Sequence, residues 1–410
     1  MSLTHRLVPM SGRDPNESHR ASTPLELLFD LTFAVAFSAA SGQTARLLEA
    51  GHLASALTGF AFAVFAASWA WVNYSWLASA YDNDDIFFRI ATLVEMIGVL
   101  VLALGMPQLF RSLDEGRHVD NGVMVAGYVI MRVAAVALWL RAAKHDPAHR
   151  RACLTYALTI SVAQVGWVVL IFLSLPIGAT LTVSAILTVV ELAGPILAER
   201  KDGGTPWHPH HIAERYSLLV IITLGEVILG TVLAVSAVVD HFGWSLEAGL
   251  VALSGTALAF GLWWLYFTVP SGRVLARYRE RAFGWAYGHI VLFGAVAGTG
   301  AGLHVAADYI SGHSEIGGTN AVLMVVVPVF VFEVALFTIY SILLRTIDPF
   351  HFWVFSGAGL VLVFAVLVVS FGGSVGVALL LVACSPASVV VAYETVGFRH
   401  ESEALMRAGL

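Results

Sequence analysis

Apolar residues along this chain come in long unbroken runs, without the alternation of half-buried strands or the one-sided periodicity of soluble helices. Twelve of these runs reach the roughly 20 residues a helix needs to cross the hydrocarbon of a bilayer. They fall at about 25–43, 52–79, 86–106, 122–143, 149–174, 177–198, 212–238, 246–269, 283–307, 319–345, 350–371 and 373–394. Little more than Gly372-Gly373 separates the last two, so eleven crossings with a re-entrant segment is an alternative. No small-residue cleavage site follows the polar first 22 residues, which makes the first run a retained helix. The pattern predicts an all-α integral membrane protein of about twelve transmembrane helices.

Several features recur in order along the two halves. Thr23-Pro24-Leu25-Glu26-Leu27-Leu28-Phe29-Asp30 opens the first run, and His211-Ile212-Ala213-Glu214-Arg215-Tyr216, leading to Leu224-Gly225-Glu226, opens the seventh. Ser68-Trp69-Ala70-Trp71 closes the second run and Trp263-Trp264-Leu265-Tyr266 the eighth. The expectation is two parallel six-helix repeats, because six crossings per half return each half to the same side. The segments are then a 1–22 N-terminal segment, repeats at 23–200 and 212–396, a 201–211 linker and a 397–410 tail. With the N-terminus in the cytoplasm, 18 of the 22 Lys and Arg fall in inside segments or at their helix edges. Arg6, Arg13, Arg20 and Arg215 are among them, against three outside (Arg46, Arg111, Arg117) and Arg132 within a run. That bias predicts that both termini are cytoplasmic.

Composition agrees: 58% of residues are hydrophobic, 12% are charged and the mean hydropathy is +0.81, whereas soluble domains carry about a quarter charged residues. The net charge of −6 names no partner beyond the lipid bilayer, no nucleic-acid partner is expected, and the sequence does not fix an oligomeric state. Cys153 and Cys384 are read as small core residues rather than a disulfide or zinc framework. Gly298-Thr299-Gly300-Ala301-Gly302 lies in a run with no strand before it, so close helix packing is expected there and no nucleotide cofactor. No Ser-His-Asp order, P-loop or redox motif is present, and no catalytic residue or cofactor is assigned.

Charges inside the runs carry the chemistry. Glu26 and Asp30, four apart, share one helix face, and burying such a pair in hydrocarbon is costly unless it meets water, protons or a cation. Glu26 is expected to stay wet near the cytoplasmic end, with Asp30 about 6 Å deeper and holding a proton. Glu95, Arg132 and Glu226 fall near the middle of their runs, and Arg132 needs a partner among Glu95, Glu191 and Glu226. Glu26, Asp30, Glu95, Arg132, Glu214 and Glu226 are therefore the candidate permeation or proton-exchange residues, with Arg132 and Glu95 as the counter-charge. Asp82-Asn83-Asp84-Asp85 reads as a solvated turn, with a divalent-cation mouth at Asp82, Asp84 and Asp85 as the alternative. His208, His210 and His211 read as loop histidines rather than a metal site. The Trp-rich helix ends read as interfacial belts, with a cation–π gate as the sharper alternative.

The Thr23–Leu31 stretch, the Asp82–Asp85 turn followed by Arg89, and Ala213-Glu214-Arg215-Tyr216 with Leu224-Gly225-Glu226 together resemble the bacterial low temperature requirement A (LtrA) family. The resemblance implies a bacterial inner-membrane protein connected with growth in the cold and brings no biochemical activity with it. The residues themselves suggest a channel or proton-linked transporter for a small cation or solute. The alternatives are a membrane-embedded enzyme acting on a lipid or isoprenoid group, and a non-catalytic regulator or scaffold.

Overall fold

A computed structural model of the chain describes every residue except 1–6, 18, 19, 174, 202, 348, 408 and 410. Arg6, one of the arginines that set the orientation, lies outside the described residues. Among the described residues there is helix and no strand, and twelve helices are long and apolar enough to cross a membrane. They are α1 (Pro24–Glu49), α2 (Leu53–Tyr81), α3 (Ile86–Glu115), α4 (Gly122–His145), α5 (Arg150–Phe172), α6 (Ile177–Glu199), α7 (Pro209–Phe242) and α8 (Leu246–Phe267). The short α9 (Ser271–Arg277) precedes α10 (Ala282–Ile310), α11 (Gly318–Leu344), α12 (Pro349–Ser370) and α13 (Val375–Ala392), and α14 (Phe398–Arg407) ends the chain.

The helix boundaries follow local chemistry. Thr23 and Glu26 form a reciprocal capping box: the Thr23 hydroxyl accepts from Glu26 N–H at 3.2 Å, and Glu26 Oε2 accepts from Thr23 N–H at 2.7 Å. Pro24 sits at the first helical position, where a missing N–H is harmless. Asp85 caps α3 by accepting from Phe88 N–H at 2.9 Å, and Ser245 caps α8 in the same way. Ser374 accepts from Val377 N–H to start α13, and Gly372 before it takes a left-handed φ of +87°. This turn settles the last pair of runs as two separate helices, each long and apolar enough to cross.

The chain divides into two compact units. Unit one comprises Met1–Ala40 and Phe65–Arg215; unit two comprises Ser41–Val64 and Tyr216–Leu410. Helices α1, α2 and α7 each contribute to both. In unit one α3 packs along α4, α4 on α5, and α5 on α6. In unit two α10 packs along α11, α8 along α13, and α12 against α13 and α11. Helix α10 is buried almost throughout, and its glycines carry the close approaches expected of them. A Cβ at Gly302 would stand 2.1 Å from the Met324 carbonyl of α11, and one at Gly300 would stand 2.7 Å from the Glu226 backbone of α7. A smaller apolar cluster of Ala45, Leu48, Ala56, Val305 and Ala321 ties the α1–α2 turn to α10 and α11.

Candidate functional site

Unit one contains two buried charge clusters. The first lies where α1 begins. Glu26 and Asp30, placed one above the other by their four-residue spacing, are both 0% exposed. Arg215, from the second turn of α7, is also fully buried and bridges them. Its Nη2 donates to Asp30 Oδ1 at 2.5 Å and its Nε to Asp30 Oδ2 at 3.2 Å, a bidentate fork, while Nη1 lies 2.9 Å from Glu26 Oε1. Trp71 Nε1 donates to Asp30 Oδ1 at 2.6 Å, and His211 Nε2 lies 3.2 Å from Glu26. The guanidinium also lies 5.6 Å and 5.7 Å from the Trp71 and Tyr74 ring centroids, within cation–π range. At the edge of the cluster Arg20 donates to the Ala78 carbonyl at 2.7 Å and comes within 3.8 Å of Glu26. Burial pulls the Arg20 pKa down. Glu214 is half-buried and accepts from Ser22 N–H at 3.3 Å.

These contacts revise the sequence expectations at three points. Glu26 is not wet: it is sealed in a cap and an ion pair. Asp30 is not alone on its face: it meets the Arg215 guanidinium and the Trp71 N–H. Arg215, counted in the sequence only as a cytoplasmic-side cation, and His211, read as a loop histidine, belong to the first two turns of α7; Arg215 pairs with both carboxylates and His211 touches Glu26. The signal for Arg215 was its place in the first turn of the seventh apolar run, where a cation needs a partner.

The Asp82–Asp85 turn lies beside this cluster and is largely committed. Asp82 is buried, accepts from Asp84 N–H at 2.8 Å and faces the Thr23 hydroxyl at 3.5 Å. Burial, and then the Glu26 charge, push its carboxyl up to about 6. Asp84 takes a left-handed φ of +50° and holds Arg89 through two 2.8 Å bonds. Burial also pushes the Asp85 carboxyl up, but Arg141 and the N–H groups of Phe88 and Val8 outweigh it and hold Asp85 at about 2. His208 accepts from His211 N–H and contacts the Glu17 carbonyl. No group of three potential metal ligands occurs among the described residues.

The second cluster centres on Glu191 of α6. Arg132 Nη2 donates to Glu191 Oε2 at 2.7 Å and to the Tyr128 hydroxyl at 2.7 Å, and Trp69 and Trp167 donate to Glu191 at 2.5 Å and 3.1 Å. Of the three partners expected for Arg132, the one used is Glu191. Glu95 is not ion-paired with Arg132 and acts on it only through its field; its Oε1 is buried without a hydrogen-bond partner among the described residues. The tryptophans of α2 are likewise not belt residues: Trp69, Trp71 and Trp76 are buried, and the first two serve carboxylates. On α8, by contrast, Trp263 and Trp264 are exposed, and Trp264 donates to Glu394 at 3.1 Å. Cys153 is buried as expected, whereas Cys384 is exposed.

Unit two carries Glu226, buried on α7 and covered by Gly300. It stands eleven residues beyond Arg215 on the same helix and lies outside the unit that holds the first cluster. Unit two also contains a cavity of about 350 Å³ whose polar lining includes Arg46, Glu49, Asp240, His304 and Asp308. Sequence reading passed these over because each stands near the end of a run.

Residues 21–385 match the family described as bacterial low temperature requirement A protein (LtrA). An uncharacterized protein of Rhizobium meliloti (strain 1021), RA0937, is 24% identical over 314 residues, covering 71% of this chain and 70% of that protein.

Proposed function

The chain belongs to the bacterial low temperature requirement A family, and on that premise we propose that it is a proton-linked transporter of a small cation or solute. We place it in the bacterial inner membrane with both termini cytoplasmic. The observation that carries the reading is Arg215, fully buried and held within 2.5–2.9 Å of both Asp30 and Glu26. A single guanidinium shared by two carboxylates is a poor structural fastener, because hydrophobic replacements of a buried ion cluster are often as stable or more so. As an exchange device it has the right parts. His211 touches Glu26, and Asp82, titrating near neutrality, feels the Glu26 charge, so a proton arriving at the turn alters the pairing inside. The cavity of unit two, with three carboxylates against Arg46 and His304, gives a cation a polar volume.

The alternatives have less support. A lipid-modifying enzyme would draw on Asp82, Asp84, Asp85 and the histidines, and Asp84 and Asp85 are engaged by Arg89 and Arg141. A pure scaffold would satisfy its buried carboxylates, yet Glu95 Oε1 and Glu333 Oε2 have no hydrogen-bond partner among the described residues. The test is flux in proteoliposomes carrying an internal pH dye. Under an imposed pH gradient with potassium or sodium on one side, the parent should dissipate the gradient faster than empty liposomes. Asp30→Asn should abolish the effect while remaining monodisperse. No flux in the parent, or equal flux in Asp30→Asn, refutes the proposal.

A further inference from the structure

We propose that unit one carries a binding groove for a hydroxyl-headed, long-chain lipid between α4 and α5, an inference that does not depend on the transport reading. The groove has a volume of about 370 Å³. Val129, Val133 and Val136 on α4, and Ile160, Val165, Val168 and Val169 on α5, supply its apolar walls. The α4 residues fall at i, i+4 and i+7, a single helical face, and the α5 residues line the groove opposite them. The rim is open, with Val133 64% and Val165 63% exposed, and on a multi-pass membrane protein an apolar outer surface meets hydrocarbon.

An apolar furrow of this kind would normally hold any acyl chain. Two polar side chains in the lining make this one selective. Gln164 is 9% exposed, and both its amide nitrogen and its carbonyl oxygen are buried with no hydrogen-bond partner among the described residues. Arg132, 4% exposed, spends Nη2 on Glu191 and Tyr128 and leaves Nε and Nη1 without a hydrogen bond among the described residues. A buried amide left unsatisfied in an apolar site is costly, so its retention points to a visiting partner.

The requirements of the site define that partner. The Gln164 carbonyl needs a donor, whereas the Gln164 amide and the free Arg132 nitrogens need an acceptor. A hydroxyl is both. A carboxylate supplies no donor, and it would add negative charge where Glu191 already balances Arg132 and Glu95 lies close enough to influence it. A bare alkane leaves all of these groups unsatisfied. The occupant is therefore a neutral alcohol on an apolar chain, with its head at Gln164 and Arg132 and its tail leaving between Val133 and Val165 into the bilayer. Isoprenoid alcohols and diacylglycerols share this chemistry.

Photolabelling tests the assignment. Purified protein in detergent is irradiated with a diazirine-bearing C16 alcohol, and labelled peptides are mapped by mass spectrometry. Labelling of the 129–136 and 160–169 segments is expected, with competition by geranylgeraniol or dioleoylglycerol but not by hexadecane or oleate. Whichever alcohol competes at lower concentration identifies the source. Gln164→Leu should reduce this labelling at least tenfold. It removes a buried unsatisfied amide, so it should fold at least as well as the parent. Val165→Phe, at an exposed rim position, should block labelling independently. Equal competition by hexadecane, undiminished labelling of Gln164→Leu, or competition by oleate alone would overturn the proposal.

Discussion

Replacing Asp82 by asparagine isolates one titration in a crowded site. The carboxyl ionises at about 6 in the folded protein, against an ordinary 3.8, because burial and the Glu26 charge disfavour its anion. Below pH 3.8 the group is protonated in both folded and unfolded chains and contributes no pH dependence. Between 3.8 and 6 the unfolded chain loses the proton while the folded one keeps it, so folding stability falls as pH rises. Above 6 both are ionised and the loss is complete. A gap of about two units corresponds to roughly 3 kcal/mol, at about 1.4 kcal/mol per unit. Asparagine keeps the oxygen that accepts from Asp84 N–H and presents an amide toward the Thr23 hydroxyl, so the turn should survive. The assay is denaturant unfolding in mild detergent at pH 4, 5, 6 and 7, with the parent and Asp82→Asn measured side by side. The stability advantage of the variant should grow by about 1.4 kcal/mol per unit from pH 4 to 6 and then level off. A difference that stays flat, or one that shrinks with rising pH, would refute both the burial and the coupling to Glu26.

Three further outcomes are expected. Arg215→Met strands Glu26 and Asp30, and loss of one partner from a buried ion cluster costs on the order of 3–5 kcal/mol; neutralising both carboxylates in the same chain should restore much of the detergent stability, and no restoration would argue against the pairing. Arg132→Ala should destabilise the protein by a similar amount, with partial recovery in Arg132→Ala/Glu191→Leu; parental stability of the single variant would count against the Glu191 ion pair. Reporter fusions in the 201–206 and 312–317 loops should give opposite signals, and matching signals would overturn the proposed topology.

Run length made the twelve helices legible, because hydrocarbon thickness sets a minimum that soluble helices have no reason to meet so often. It also made the costly charges legible, and it confined Arg132 to three partners. It failed at the helix ends. Hydropathy starts the seventh run at about 212, whereas α7 begins at Pro209, so His211 looks like a loop residue when it lies in the first turn of a helix, and Arg215 sits one turn further in than the run suggests. Trp69 and Trp71 were misplaced for a related reason: an indole is apolar by any hydropathy scale, and only its neighbours reveal whether its N–H serves water or a carboxylate. The Thr23-x-x-Glu26 spacing was a readable capping box and would have shown that Glu26 is occupied by its own backbone.

That capping box gives Glu26 two obligations. One oxygen accepts the Thr23 N–H and fixes where α1 starts; the other lies against Arg215. A glutamine at this position retains an acceptor for the cap and gives up the negative charge, so the two duties can be separated by exchanging one oxygen for an amide. The helix start and the charge balance therefore share one side chain, and a change that removes it loosens the first turn of α1 and leaves Arg215 short of one carboxylate at the same time.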